Sequence, residues 1–93
     1  MDELFREMTA TLSQAQQAVE DELERLMKAP VPDMDRLAHL GRSVGEFSCN
    51  ADSLLVMMLE RDAPADMIDT AGTLADFFEH AKDQLSRRMV RQA

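Results

Sequence analysis

Apolar residues recur every three or four positions along most of the chain, and no segment alternates apolar and polar residues as a half-buried strand would. Two proline-containing segments, residues 30–32 and 62–64, interrupt this pattern and leave three stretches of similar length. Each stretch carries one apolar stripe at helical spacing. The pattern therefore predicts three amphipathic helices, at about residues 2–28, 33–61 and 64–91.

The three apolar stripes show which side of each helix is expected to be buried. The second stripe alternates steps of three and four, which is the spacing of a coiled-coil seam. Asp33 is a suitable N-cap for the second helix, and Pro64 suits the first turn of the third. The stripes consist of Leu4, Met8, Leu12, Ala15, Val19, Leu23 and Leu26, then Leu37, Leu40, Val44, Phe47, Ala51, Leu54 and Met58, and finally Met67, Ala71, Leu74, Phe78, Ala81 and Leu85.

Short connections between long helices restrict the possible folds. A helix of this length spans roughly 40 Å at about 1.5 Å per residue, and turns of a few residues force consecutive helices to lie antiparallel. We therefore expect one all-α domain over residues 1–93 with three long antiparallel helices. It would be either an up-down-up three-helix bundle or an extended helical hairpin that is completed by dimerisation.

Composition excludes several classes of function. The 93 residues carry a net charge of −8, and outside the last few residues no dense group of Lys and Arg is available to neutralise nucleic-acid phosphates, so direct nucleic-acid binding is not expected. The longest apolar run, residues 54–59, is too short to cross a membrane. Cys49 is the single cysteine, which excludes an intrachain disulfide and fits a cytoplasmic protein.

The residues capable of chemistry do not form a recognisable site. Asp76, His80 and Asp83 share one side of the third helix, but that side lies opposite the apolar stripe and faces solvent, with no second element to supply further ligands. Cys49 has Glu46 and Asp52 nearby, whereas a reactive thiolate needs cationic neighbours. We therefore expect no enzyme activity, no metal and no cofactor, and no residue motif assigns the chain to a family.

An apolar surface on the second helix is the stronger indication of function. Residues 54–59 are apolar around the whole circumference of the helix, and the chain contains eight methionines, whose flexible side chains adapt to protein partners. Small residues at Gly41 and Gly45 would let another helix approach closely. We expect a protein partner or a second copy of the chain to bind here. The predicted partner-binding residues are Leu55, Val56, Met57, Leu59, Gly41 and Gly45.

The sequence thus predicts a non-enzymatic helical protein-binding module, such as an adaptor, a co-chaperone or an accessory protein, that forms a homodimer. The alternative is an acidic inhibitor that blocks a basic groove on its target, as a nucleic-acid mimic does. Its binding surface would be the acidic side of the first helix, which includes Glu20, Glu22 and Glu24.

Overall fold

The computed structural model describes residues 2–92, with side chains from residue 3 to residue 90. Within that range it contains α1 (Asp2–Lys28), α2 (Met34–Glu60) and α3 (Ala65–Gln92), and no strand. Every helix packs against the other two, and the Cα atoms extend over 46 × 19 × 17 Å. The prediction of an all-α three-helix bundle is confirmed, and the helix bounds are within one residue of those expected. Dimerisation stays a prediction.

Local hydrogen bonds fix the start and the end of α2 at the positions that the sequence predicts. The Asp33 side chain accepts a hydrogen bond from the backbone N–H of Arg36 at 3.1 Å, which caps α2. Beyond α2, Asp62 adopts a left-handed φ of 51°, and the N–H of Ala63 donates to the carbonyl of Met58 at 2.9 Å. This is the Schellman pattern that closes a helix, with aspartate in place of the more common glycine. It turns the chain back so that α3 runs antiparallel to α2.

Small buried side chains determine how closely α2 and α3 pack. These two helices approach each other much more closely than either approaches α1. Close approach requires short side chains in the contact, because a large side chain would separate the helix axes. The small residues that are buried on α2 and α3 are Ser48, Ala51, Ala71, Ala75 and Ala81. The α2/α3 hairpin is therefore the most tightly packed part of the bundle.

α1 covers one side of this hairpin through buried residues spaced seven apart. Positions seven apart return to nearly the same side of a helix, so the contact runs along the whole of α1. The expected stripe was wrong at its start, since Leu4 is 48 % exposed and the neighbouring Phe5 is 2 % exposed. Leu4 lies about 100° of helical rotation away from Phe5 and so faces away from the core. The deeply buried residues of α1 are Phe5, Leu12, Val19 and Leu26.

The three helices share a continuous core that includes an aromatic cluster. Phe78 is fully buried, and its ring centroid lies 5.5 Å from that of Phe47 on α2. Phe77 meets Phe78 edge to face, with the centroids 5.2 Å apart. Ring pairs at these distances add to the free energy gained from burial alone. Phe78 therefore contributes strongly to the contact between α2 and α3.

The close helix approach expected at Gly41 and Gly45 does not occur within this chain. A Cβ atom added at either glycine, or at Gly72 on α3, would have no side chain and no neighbouring helix within 4 Å. The reason is the rotation of α2, which points the more strongly apolar side into the bundle and leaves both glycines at its edge. All three glycines lie inside helices, where glycine costs about 1 kcal/mol relative to alanine. No contact within the described residues explains that cost.

Replacing Phe78 with alanine should destabilise the fold by about 3–5 kcal/mol, because the fully buried ring leaves a cavity between α2 and α3. Urea unfolding followed by circular dichroism at 222 nm measures this change, since the chain has no tryptophan or tyrosine to report it by fluorescence. Val90→Ala is the matched control, because Val90 is exposed, and its effect should stay below about 0.5 kcal/mol. Equal effects of the two substitutions would contradict the core assignment.

Replacing Gly41 and Gly45 with alanine should stabilise the chain by about 0.5–1 kcal/mol for each substitution, because the new methyl groups meet open space and alanine favours the helix. The same unfolding measurement tests this expectation. Ala71→Gly, at a buried helical position, should have the opposite sign. A loss of stability in either Gly→Ala variant would show that a Cβ does not fit there.

Candidate protein-binding face

The six residues predicted to bind a partner divide into two groups in the structure. Val56 and Leu59 are 52 % and 55 % exposed, whereas Leu55 and Met57 are partly buried and pack against the core. The run at residues 54–59 is therefore not exposed on every side. Its free apolar surface is concentrated on Val56 and Leu59, and Met57 contributes mainly to packing.

The position of α1 decides which side of α2 remains open. Leu4, Met8 and Thr11 of α1 line a groove together with Asn50 and Ser53 of α2, so this side of α2 faces α1. Leu59 lies nine positions after Asn50, and nine steps of about 100° place it on the opposite side of the helix. The exposed end of the predicted binding surface therefore faces away from α1.

The same argument applies to α3. Arg6 and Ala10 of α1 line a second groove with Asp66 and Thr70. Ile68 and Gly72 each follow one of these α3 residues by two positions, about 200° of rotation, and so lie on the opposite side. Open sides of α2 and α3 thus adjoin across the hairpin, and we call this surface the outer face. It comprises Gly41, Gly45, Val56 and Leu59 of α2 together with Ile68 and Gly72 of α3.

Apolar side chains are exposed at both ends of this side of α2. Met34 lies at the start of the helix, and steps of four, three and four lead from it to Gly45. Continuing from Gly45, steps of seven, four and three reach Asp52, Val56 and Leu59, so one row runs along the whole helix. Met34 is exposed, as Val56 and Leu59 are. Asp52 interrupts this row, so its exposed apolar side chains are Met34 at the start of α2 and the neighbouring Val56 and Leu59 at its end. Single exposed apolar residues are ordinary, and the more informative feature is the adjacent pair Val56 and Leu59.

Charges around the outer face differ from those on α1. On α1, Lys28 lies 2.7 Å from Glu24 and Arg25 lies 3.1 Å from Glu22. The hydrogen bond from Lys28, followed by its positive charge, lowers the pKa of Glu24. Two acids in the last two turns of α1, Glu22 and Glu24, are therefore paired with bases on the same helix.

By contrast, exposed carboxylates border the outer face without such partners. Asp52 and Glu60 each stand four positions from Val56 on α2, and Asp69 and Asp76 flank Gly72 on α3. All four are exposed, and among the side chains of residues 3–90 none of them forms an ion pair. The border is therefore negative around Val56, Leu59 and Gly72, whereas Arg42 and Glu46 line a depression beside Gly45 and bring one charge of each sign there.

The other candidate sites do not come together in the part of the chain that the structure describes. Asp76, Glu79, His80 and Asp83 border an open depression on α3 alone, and no three His, Cys, Asp or Glu side chains converge enough to hold a metal ion. Cys49 is exposed, and none of the side-chain hydrogen bonds found among residues 3–90 joins it to a histidine. The described helices include none that is both long and apolar enough to cross a membrane.

Sequence reasoning identified the α2 half of the outer face and missed the α3 half. Ile68 and Gly72 lie outside the apolar stripe of α3, and the acids near them resemble any solvated helix surface. The one available indication was Gly72, a glycine inside a helix with no evident local purpose. Joining it to Gly41 and Gly45 requires knowing how α3 is rotated against α2.

Comparisons of the chain with protein-family models, with curated proteins and with solved structures found no match. A function therefore has to be inferred from the chain's own surface.

Proposed function

We propose that this protein is a non-enzymatic protein-binding module, acting as an adaptor, a co-chaperone or an accessory protein, and that it binds its partner through the outer face. The observation that carries the proposal is the exposure of Val56 and Leu59, each above half, on a helix whose other large aliphatic residues are mostly buried. Covering such side chains with a partner removes apolar surface from water, at about 25 cal/mol per Å².

The arrangement of the helices supports the same conclusion, because it leaves Val56 and Leu59 uncovered. α1 already covers the opposite side of the hairpin, and residues 2–92 contain no further helix to cover the outer face. The glycines of this face add to the argument. Each destabilises its helix relative to alanine, and none has a close neighbour among the described residues that would require a glycine there. A partner helix that packs against them would supply such contacts. The exposed free thiol of Cys49 suits a reducing compartment such as the cytoplasm.

The alternative, an acidic inhibitor that uses α1, has weaker support. Glu22 and Glu24 are paired with Arg25 and Lys28, and Glu20 and Asp21 accept hydrogen bonds from Gln16 and Gln17. Carboxylates contribute more to binding a basic groove when they are not already paired within their own chain. Glu22 and Glu24, two of the three acids expected to bind that groove, are therefore already paired within the chain.

Val56→Lys should abolish capture of the physiological partner, because a charged side chain would be buried against the partner at the most exposed apolar part of the face. The test is affinity capture from the native cells followed by mass spectrometry, with circular dichroism to show unchanged helicity. Val31→Lys is the matched control, since Val31 is exposed in the turn between α1 and α2 and undergoes the same chemical change. The proposal fails if both variants retain the partners of the unmodified chain, or if both lose them equally.

A further inference from the structure

The combination of apolar and acidic residues on the outer face indicates the chemistry of its partner, provided that the proposed binding function is right. Val56 and Leu59 of α2 and Ile68 of α3 supply the apolar part, Ile68 being partly buried and the other two more than half exposed. A partner must therefore present apolar side chains to this surface. The surface follows the axes of two helices, and its natural complement is a third helix lying along them.

The shape of the face supports a helix as its occupant. Gly41, Gly45 and Gly72 present no side chain, and the space above each of them is open. A row of glycines lets a neighbouring backbone approach more closely than any other residue allows. Gly41 and Leu59 lie 18 positions apart on α2, so the face is roughly 27 Å long at about 1.5 Å per residue. A partner helix of about five turns would cover it.

The charge of the border determines which residues should flank the apolar stripe of that helix. Asp52 and Glu60 lie along α2, and Asp69 and Asp76 lie along α3, all four exposed and without ion pairs among the described side chains. Arg61, at the C-cap of α2, is the basic residue next in sequence to Glu60. Lys or Arg on the partner would neutralise the border, whereas Asp or Glu would bring like charges together.

A second copy of this chain fits the border poorly. Each chain carries a net charge of −8, and an isologous contact through the outer face would bring two acidic borders to the same interface. The homodimer predicted from the sequence would therefore have to form through a different surface. The border favours a partner of opposite charge.

We propose that the outer face binds a cationic amphipathic helix of another protein. The apolar stripe of that helix packs on Val56, Leu59 and Ile68 over the glycines. Its Lys and Arg side chains pair with Asp52, which lies within the row on α2, with Glu60 at the end of α2, and with Asp69 and Asp76 on α3.

The test uses a synthetic 18-residue peptide of leucine and lysine, with the leucines at helical spacing, labelled for fluorescence anisotropy and titrated with the full chain. A peptide of the same composition with leucine and lysine in strict alternation lacks the helical stripe and is the peptide control. We expect the helical peptide to bind at least tenfold more tightly than the alternating one. Its affinity should also fall as salt is raised, because ionic strength screens the border charges.

Two charge-matched double variants locate the contact. Asp69→Asn with Asp76→Asn removes two carboxylates from the border, and Glu20→Gln with Glu24→Gln removes two from α1, so both variants have the same net charge. We expect the first to weaken peptide binding at least tenfold and the second less than twofold. Gly45→Leu, which fills the groove without altering charge, should also weaken binding at least tenfold while circular dichroism remains unchanged.

Three outcomes would overturn the proposal. Equal weakening by the two double variants would show that the peptide responds to net charge alone, and equal binding of the two peptides would remove the helical requirement. Sedimentation equilibrium showing a dimer that Val56→Lys dissociates would make a second copy the occupant. If the helical peptide does not bind while Val56→Lys still loses the captured partner, the binding function stands and only the cationic chemistry is wrong.

Discussion

The tight contact between α2 and α3 is the constraint on which the rest of this molecule depends. Ala51 on α2 and Ala71, Ala75 and Ala81 on α3 are buried where the two helices meet, and their short side chains bring the backbones close together. Two helices packed this closely form one rigid unit with two broad sides. α1 runs along one of these sides, and its most deeply buried residues form a row spaced seven apart.

The uncovered side then accounts for several features that have no explanation inside the bundle. Exposed Val56 and Leu59, glycines in the middle of helices, and carboxylates without ion pairs all lie on it or along its border. Exposed apolar side chains reduce solubility, and glycines inside helices reduce stability. Three helical glycines cost about 3 kcal/mol together, which is a considerable share of the roughly 5–15 kcal/mol by which domains are stable. Contacts with a bound partner would offset this loss of stability.

The outer face could be predicted from the sequence only in part. The apolar run at residues 54–59 indicated the end of α2 at which Val56 and Leu59 are exposed, because a helix that is apolar all round has more apolar surface than two neighbours can cover. The run could not show which of its side chains would remain exposed to solvent. Met57 turns toward the side where α1 lies, and Val56 does not, although the two are adjacent. That distinction rests on about 100° of helical rotation relative to neighbours that are distant in the chain.

The sequence by itself determined the three helices, their ends and their antiparallel order, because hydrophobic spacing, capping residues and short turns act over a few neighbouring positions. It also determined the excess of acid and the single cysteine. Only the tertiary structure decided that α2 and α3 form the close pair, that Phe5 replaces Leu4 in the core, and that Gly72 lies on the same face as Gly41 and Gly45. Those outcomes depend on the rotation and distance of whole helices relative to one another. Such quantities are set by the packing of all the side chains together, and local spacing along the chain does not encode them.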